Sequence, residues 1–368
     1  MDRRDLFRRP LAAAAQLAAP VHAALQHEAP GTEPGHLPLR PGATPPRVTA
    51  LAYSAHELTE HTVDDFETLR SMRGKWPVLW VNADGVTHAE TVRRLGDVFG
   101  LHRLALEDVM QVPQRAKADA YDGYLFVVLR MARHTPALDL EQIGVFVGPD
   151  FVVTFQERPG DPLDPVRARI RAGHARIRAS GPDYLAYAVI DAIVDHYFPV
   201  LEVYADALDA LEDEIAERPN PSCMSRLHRI KRDLMALRRA IWPLREALSR
   251  LVREPVPPLR DETGVYLRDC EDHVFQILDL VETYREVASS LTDLYLSTVS
   301  TRTNDIMKVL TIFASIFIPL GFITGIYGMD VEHARGWWWS LPFVMAEMGI
   351  AALLLLAYFW RKGWIGQR

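Results

Sequence analysis

Residues 309–329 read VLTIFASIFIPLGFITGIYGM, and residues 341–360 read LPFVMAEMGIAALLLLAYFW. The first run carries no charged side chain and the second carries only Glu347. As helices, both are long enough to cross a hydrocarbon core of about 30 Å. The short connection between them, which opens at Asp330, requires a hairpin. Residues before 300 and the C-terminal tail therefore lie on one side of a membrane.

Basic residues orient the hairpin. Arg302 and Lys308 precede the first span, and Arg361, Lys362 and Arg368 follow the second. The connecting loop holds Arg335 against Asp330 and Glu332. Both termini are predicted to be cytoplasmic, in a multi-pass protein of a bacterial inner (plasma) membrane. An Arg3-Arg4 pair ahead of Ala-rich sequence imitates an export signal. Its apolar stretch, 11–19, is short and interrupted by Gln16, and export would contradict the hairpin. Residues 1–46 read instead as a disordered, Pro-rich extension.

The formal net charge of -7 argues against a nucleic-acid partner. Cys223 and Cys270 are the only cysteines, so no disulfide framework is implied. There is no phosphate-binding Gly loop, nucleophile elbow or metalloprotease motif, so no enzyme is expected.

Residues 47–180 alternate as a cytoplasmic α/β domain. Strands are predicted at 48–53, 78–81, 124–131, 141–147 and 151–157, the last two flanking a Gly148-Pro149-Asp150 turn. Asn82-Ala83-Asp84-Gly85 reads as the turn closing the second strand, and 88–100 as an amphipathic helix. Residues 181–256 form a helical hairpin: 184–217 ends at Pro219 and Pro221, and 225–253 ends at the prolines from 255 onward. The first arm is acidic near its end (Glu212, Asp213, Glu214, Glu217) and the second basic (Arg226, Arg229, Lys231, Arg232), which suits complementary solvated faces.

No strong breaker follows until Pro319. A helix from about 263 through 327 spans on the order of 100 Å at about 1.5 Å per residue. Such a rod needs neighbours from other copies, so a homo-oligomer is expected. Its stalk, 257–308, continues into the first transmembrane pore helix, 309–329. An external loop (330–340), the second span (341–360) and a basic tail (361–368) complete the chain.

Along the rod, Asn304, Met307, Thr311, Ala314, Ile318, Gly321, Gly325 and Gly328 fall on one stripe at coiled-coil spacing, with Leu310 flanking it. In a ring of parallel copies the stripe would line an axial path, constricted by Met307 and Leu310 and widened by the glycines. An apolar constriction can gate by dewetting. Gly321-Phe322-Ile323-Thr324-Gly325 is equally a GxxxG packing motif, and spacing alone leaves both readings open.

Asn304–Thr311, then Ile316-Phe317-Ile318-Pro319-Leu320, then Gly325-Ile326-Tyr327-Gly328-Met329, resemble the pore helix of the CorA-type magnesium transporters. So does Tyr358-Phe359-Trp360-Arg361-Lys362-Gly363-Trp364 at the chain's end. The resemblance extends back through Ile241-Trp242-Pro243-Leu244-Arg245-Glu246, Leu106-Glu107-Asp108 and Gln114-Arg115-Ala116-Lys117. It implies a funnel-shaped homopentamer embedded in lipid, carrying divalent cations and gated by cytoplasmic Mg²⁺.

In that family a Gly-Met-Asn triplet closes the pore helix. Here Met329 is followed by Asp330, and the loop reads Val331-Glu332-His333-Ala334-Arg335-Gly336 before three Trp. Asn can hold hydrated Mg²⁺ through its water shell, whereas a carboxylate can replace that water. Crowding five such groups keeps part of the ring protonated. Strong attraction with slow release would make a non-conducting cation sensor. Glu332 and His333 beside Asp330 would favour Zn²⁺, Ni²⁺ or Co²⁺ over Mg²⁺. The resemblance also implies regulatory metal ligands at Glu107 and Asp108 of the globular domain, Asp191 of the first long helix and Asp269 of the stalk. Glu347, inside the second span, needs a partner or a proton; His333 and Arg335 are the partners the sequence offers.

Overall fold

The computed structural model describes residues 33–37, 45–173, 175–254, 256–328 and 341–365. By internal contacts the chain divides into two units. One comprises residues up to Asp209 together with His228–Ala288; the other comprises Ala210–Leu227 together with residues from Ser289 onward.

The first unit is built on seven strands, β1 (Arg47–Tyr53), β2 (Leu58–Thr62), β3 (Val78–Asp84), β4 (Lys117–Tyr121), β5 (Tyr124–His134), β6 (Leu138–Val147) and β7 (Phe151–Gln156). They form one sheet in the order β2-β1-β3-β7-β6-β5-β4. Only β3 and β7 pair in parallel. Every residue of β7 is buried, as expected of a central strand covered on both faces, and its sequence FVVTFQ lacks simple alternation for that reason.

One face carries α1 (Phe66–Met72), α2 (Ala89–Phe99) and α3 (Arg103–Met110), whose Leu69, Val92, Leu95, Leu106 and Val109 join Ala50, Val81, Ala83 and Val153 in a single core. Helix α2 stops where Gly100 takes a left-handed conformation at φ 69, which a side chain would oppose. Short helices α4 (Asp164–Arg171) and α5 (Ala175–Ala179) lead to α6 (Pro182–Asp195), which packs on β5, β6 and β7. The expected helix over 184–217 is divided: α6 ends at Asp195 and α7 runs Tyr197–Glu217. Pro199 explains the break, since it has no N–H to donate and its ring crowds the carbonyl four residues earlier.

Helix α8 (Pro221–Arg253) and the long helix α9 (Asp261–Gly328) follow. The 68 residues of α9 match the expected unbroken rod, with Pro319 tolerated inside. Its start is clamped to α6. Asp183, 1% exposed, receives Arg260 through two bonds of 2.7 and 3.0 Å and the Thr263 hydroxyl at 2.5 Å. Burial pushes the Asp183 carboxyl upward, but these donors outweigh it and hold the carboxyl below its ordinary range.

In the second unit, Asn220 forms the turn between α7 and α8. It accepts from the Ser222 N–H at 2.8 Å and donates to Glu214 at 2.5 Å. Glu214 also pairs with Arg226, so the acidic and basic arms meet at this turn. The unit contains the end of α9 and α10 (Leu341–Arg361). Three stretches among the described residues are long and apolar enough to cross a membrane. Of these, Pro182–Glu217 is 61% buried within the fold and needs no bilayer. The apolar windows of α9 and α10 are 0% and 6% buried. Surface of that extent in a single chain has to be covered by lipid or by other copies.

Candidate metal centre and ion path

The carboxylates expected to bind regulatory metal do not form one cluster. Glu107 accepts the Gly35 N–H at 2.5 Å and the Gln111 amide at 2.8 Å, both its oxygens being engaged. Asp108 pairs with Lys117 at 2.7 Å, and the same ammonium holds Asp119. Among the described residues, neither Glu107 nor Asp108 is bonded to Asp191 or Asp269.

Asp191 has other company. Asp191 and Asp195 lie one turn apart on α6 and so share a face. Across from them stand Cys270 and His273, three residues apart on α9. His273 Nδ1 lies 3.0 Å from Asp195 Oδ1, and the Cys270 thiol donates to Asp191 at 3.6 Å. Asp191, Asp195 and His273 offer ligand atoms that all lie within 4.8 Å of one another, the one such group of three among the described residues. Burial, then the charge of Asp195, raises the Asp191 carboxyl above its ordinary range. Burial and the neighbouring Asp191 push the Cys270 thiol up. Two carboxylate oxygens and one imidazole nitrogen suit a divalent ion, and the imidazole tilts the set toward Co²⁺, Ni²⁺ or Zn²⁺. Asp269, adjacent to Cys270, is exposed and raises the negative potential around Tyr187 and Cys270.

Asp195 and His273 were not signalled by sequence. Their ligand spacing is 78 residues, and neither belongs to a local motif. The one cue available for Asp195 was the helical period, which puts it on the same face as Asp191.

The stripe of α9 is largely exposed among its described residues. Met307, Leu310 and Ile318 are 53, 59 and 70% exposed, Asn304 and Thr311 are exposed, and Ala314 is half-buried. A Cβ added at Gly321 or Gly325 would meet nothing within 4 Å, so the GxxxG face is not packed against α10 within the chain. Gly328 is the last residue of α9. Met329, Asp330, Glu332 and His333 lie outside the described residues. Glu347 on α10 receives the Tyr327 hydroxyl at 3.0 Å, a bond between the two apolar helices. This bond answers Glu347 from α9; His333 and Arg335, the partners that the sequence offered, lie outside the described residues.

The Ile241–Glu246 motif lies on α8. Trp242 is flanked by Arg238 and Arg245, whose guanidinium groups stand 5.7 and 5.4 Å from its ring centroid, and Arg245 also covers Phe275 of α9 at 4.3 Å. Arg238 pairs with Glu282 at 2.6 Å, and Glu246 with Arg115 at 2.5 Å. These contacts bind α8 to α9 and to the loop before β4; they carry structure and no ligand chemistry.

Comparison with known proteins places this architecture. The model of the CorA-like Mg²⁺ transporter proteins matches residues 77–362. The cobalt/magnesium transport protein CorA of Thermotoga maritima is 44% identical over 323 residues, covering 86% of this chain and 92% of that protein. The divalent cation transporter CmaX of Pseudomonas aeruginosa is 26% identical over 265 residues, covering 70% of this chain and 78% of its own. Among solved structures, the CorA magnesium transporter of Methanocaldococcus jannaschii aligns with a TM-score of 0.71 at 21% identity, covering 87% of this chain and 99% of that one. That likeness supports the fold: a soluble α/β domain, a long helix and C-terminal apolar helices in one chain. With nearly the whole of its length after β2 matched, the chain belongs to the CorA-like Mg²⁺ transporter family.

Proposed function

We propose that the protein is a homopentameric, channel-like importer of Mg²⁺ across the bacterial inner membrane, with both termini cytoplasmic. The observation that carries this reading is the exposed face of α9 from Asn304 to Gly325, along which Met307, Leu310 and Ile318 are more than half exposed among the described residues. Five such stripes around an axis make a path whose apolar part, Met307 and Leu310, gates by dewetting. The membrane potential supplies about 2.3 kcal/mol per charge per 100 mV, or twice that for a divalent ion. The relatives named above for cobalt, magnesium or divalent cations support the cargo class.

The test is Mg²⁺ entry into proteoliposomes holding an inside-negative potential. Potential-driven Mg²⁺ uptake that Co²⁺ reduces by competition is the expected result. No flux for any divalent ion would overturn it in favour of a non-conducting sensor, the reading that a ring of Asp330 favours. Co²⁺, Ni²⁺ or Zn²⁺ flux that excess Mg²⁺ leaves untouched would make the protein a transition-metal transporter.

The Asp191–Asp195–His273 group supports a regulatory role for bound cation on the cytoplasmic side. With metal present, opposed carboxylates are neutralised and the surrounding helices hold together; without it they repel. Glu107, Asp108 and Asp269 complete the proposed set only when subunits meet. His273→Ala is expected to raise the Co²⁺ concentration needed to protect the protein from protease by at least the tenfold that loss of a supporting partner costs. Protection by Mg²⁺, a poor ligand for imidazole, should change less. An identical Co²⁺ dependence in wild type and variant would remove His273 from the site. Asp269→Ala should likewise weaken protection by Mg²⁺.

A further inference from the structure

Asn82 and Asp84 have turn-forming side chains yet sit in β3, paired with β1 and β7. The register sets Thr62, Thr49, Asn82 and Thr154 side by side across β2, β1, β3 and β7, and Arg47, Asp84 and Gln156 in the next row. The opposite face of the same strands is apolar core, with Val48, Ala50, Val81, Ala83 and Val153. A polar ladder inside a sheet is costly unless every group is bonded. Asn82 is 4% exposed, and Thr154 and Gln156 are fully buried. Asn82 Oδ1 accepts from the Thr154 hydroxyl at 2.5 Å and from the Gln156 amide at 2.8 Å, and Gln156 also donates to Asp161. Gln156 Oε1 has no partner among the described residues.

This ladder floors a cleft of about 400 Å³ walled by β1, β2, α4 and the segment before α4. Three guanidinium groups and four carboxylates line it: Arg47, Arg167 and Arg171 against Glu60, Asp84, Asp161 and Asp164. Most are already matched. Arg167 grips Asp161 at 2.6 and 2.7 Å and Asp164 at 3.0 Å, and its guanidinium lies 5.2 Å from the Trp80 ring centroid. Arg171 holds Glu60 at 2.7 and 2.9 Å. Two charges remain. Asp84 accepts one bond, from Asn82 at 2.5 Å, and burial raises its carboxyl above the ordinary range. Arg47 stands opposite Asp84 in the strand register, where its charge favours the ionised carboxylate; its side chain is exposed and makes no hydrogen bond or ion pair among the described residues.

The remaining pair selects its ligand. A bare cation would satisfy Asp84 but face three guanidinium groups; a bare anion would satisfy Arg47 but face four carboxylates. No three carboxylate or imidazole groups of the cleft come close enough to hold a metal ion. A small neutral molecule with a cationic end and an anionic end answers both charges at once. We propose that this cleft binds a free α-amino acid, its ammonium on Asp84 and its carboxylate on Arg47, with the Asn82 ladder beneath. The site lies wholly in the α/β unit and is independent of the transport reading.

The test is calorimetric titration of the full-length protein in detergent with each of the common amino acids at millimolar concentration. Acetate, putrescine, inorganic phosphate and MgCl₂ serve as controls whose binding ion carries charge of one sign only. At least one amino acid is expected to bind, while its N-acetyl and methyl-ester derivatives, each lacking one charge, bind about tenfold or more weakly. Asp84→Asn and Arg47→Gln should each weaken it about tenfold or more, in line with loss of a hydrogen bond to a charged group. Arg47 is exposed, so Arg47→Gln remains informative if Asp84→Asn fails to fold. The proposal is overturned if no amino acid binds, if binding survives in Arg47→Gln, or if phosphate, putrescine or Mg²⁺ binds in a manner abolished by these substitutions.

Discussion

Asp330→Asn is expected to raise the external Mg²⁺ concentration for half-maximal flux about tenfold or more. A single carboxylate about 5 Å from a divalent ion contributes about 1.7 kcal/mol even in bulk water, and about 1.4 kcal/mol is a factor of ten in affinity. A ring of five in the proposed pentamer cannot ionise completely, because like charges at close range favour keeping some protons. One or two ionised members suffice for the predicted effect. The same substitution should speed release, since conduction requires an ion to leave as well as to enter. Maximal flux is therefore expected to hold or rise while half-saturation shifts upward. Lowering external pH should mimic the substitution in the wild type and do little to Asp330→Asn. Concentration-dependent flux in proteoliposomes measures all three. Equal half-saturation in the two proteins would remove Asp330 from the ion path.

The second large effect concerns stability. Arg260→Leu is expected to cost about 3 kcal/mol at neutral pH, since it strands a carboxylate in the interior. Asp183 is 1% exposed and would keep the Thr263 hydroxyl at 2.5 Å as its remaining side-chain donor. The pH dependence has a definite sign. In the wild type the Asp183 carboxyl is held below its ordinary range. That contribution is therefore complete above the unfolded value of about 3.9 and is lost as pH falls through the lower folded value. Without Arg260, burial favours the protonated carboxyl, so the folded value rises and the penalty grows with pH. The two proteins should differ most near neutrality and converge only as pH falls through the wild type's lowered folded value. Adding Asp183→Asn to Arg260→Leu should recover part of the loss, because the buried charge is then gone. Thermal midpoints of the detergent-solubilised chain across pH test this. A penalty independent of pH, or no rescue in the double variant, would show that Arg260 acts by packing alone.

Much of the architecture was legible in the chain. The rod of α9 follows from the absence of breakers between its start and Pro319, and the observed Asp261–Gly328 lies close to the expected limits. Strands β1, β5, β6 and β7 announce themselves by β-branched and aromatic runs ending in turn residues. Strands β2 and β4 do not. LTEHT and KADAY are polar edge strands that pair on one side only, each with its neighbour in the chain, and their composition lacks the apolar run that marks a strand. Asn82 and Asp84 have the composition of a turn, but bonds to Thr154, Gln156 and each other keep them in β3. The break before Tyr197 was readable from Pro199, although hydropathy alone runs on through it.

By itself, the sequence determined the two apolar C-terminal segments, the long helix, the α/β character and the family to which the chain belongs. The first three depend on periodicity, breakers and composition, which act between residues a few positions apart, and the family on the residues of its motifs. The tertiary structure decided which charges meet. Asp195 reaches His273 across 78 residues, Asp183 reaches Arg260 across 77, and Tyr327 reaches Glu347 across 20. Such pairs carry no local pattern. They form because burial leaves each charged or polar group few neighbours, and only the packed chain determines which neighbours those are.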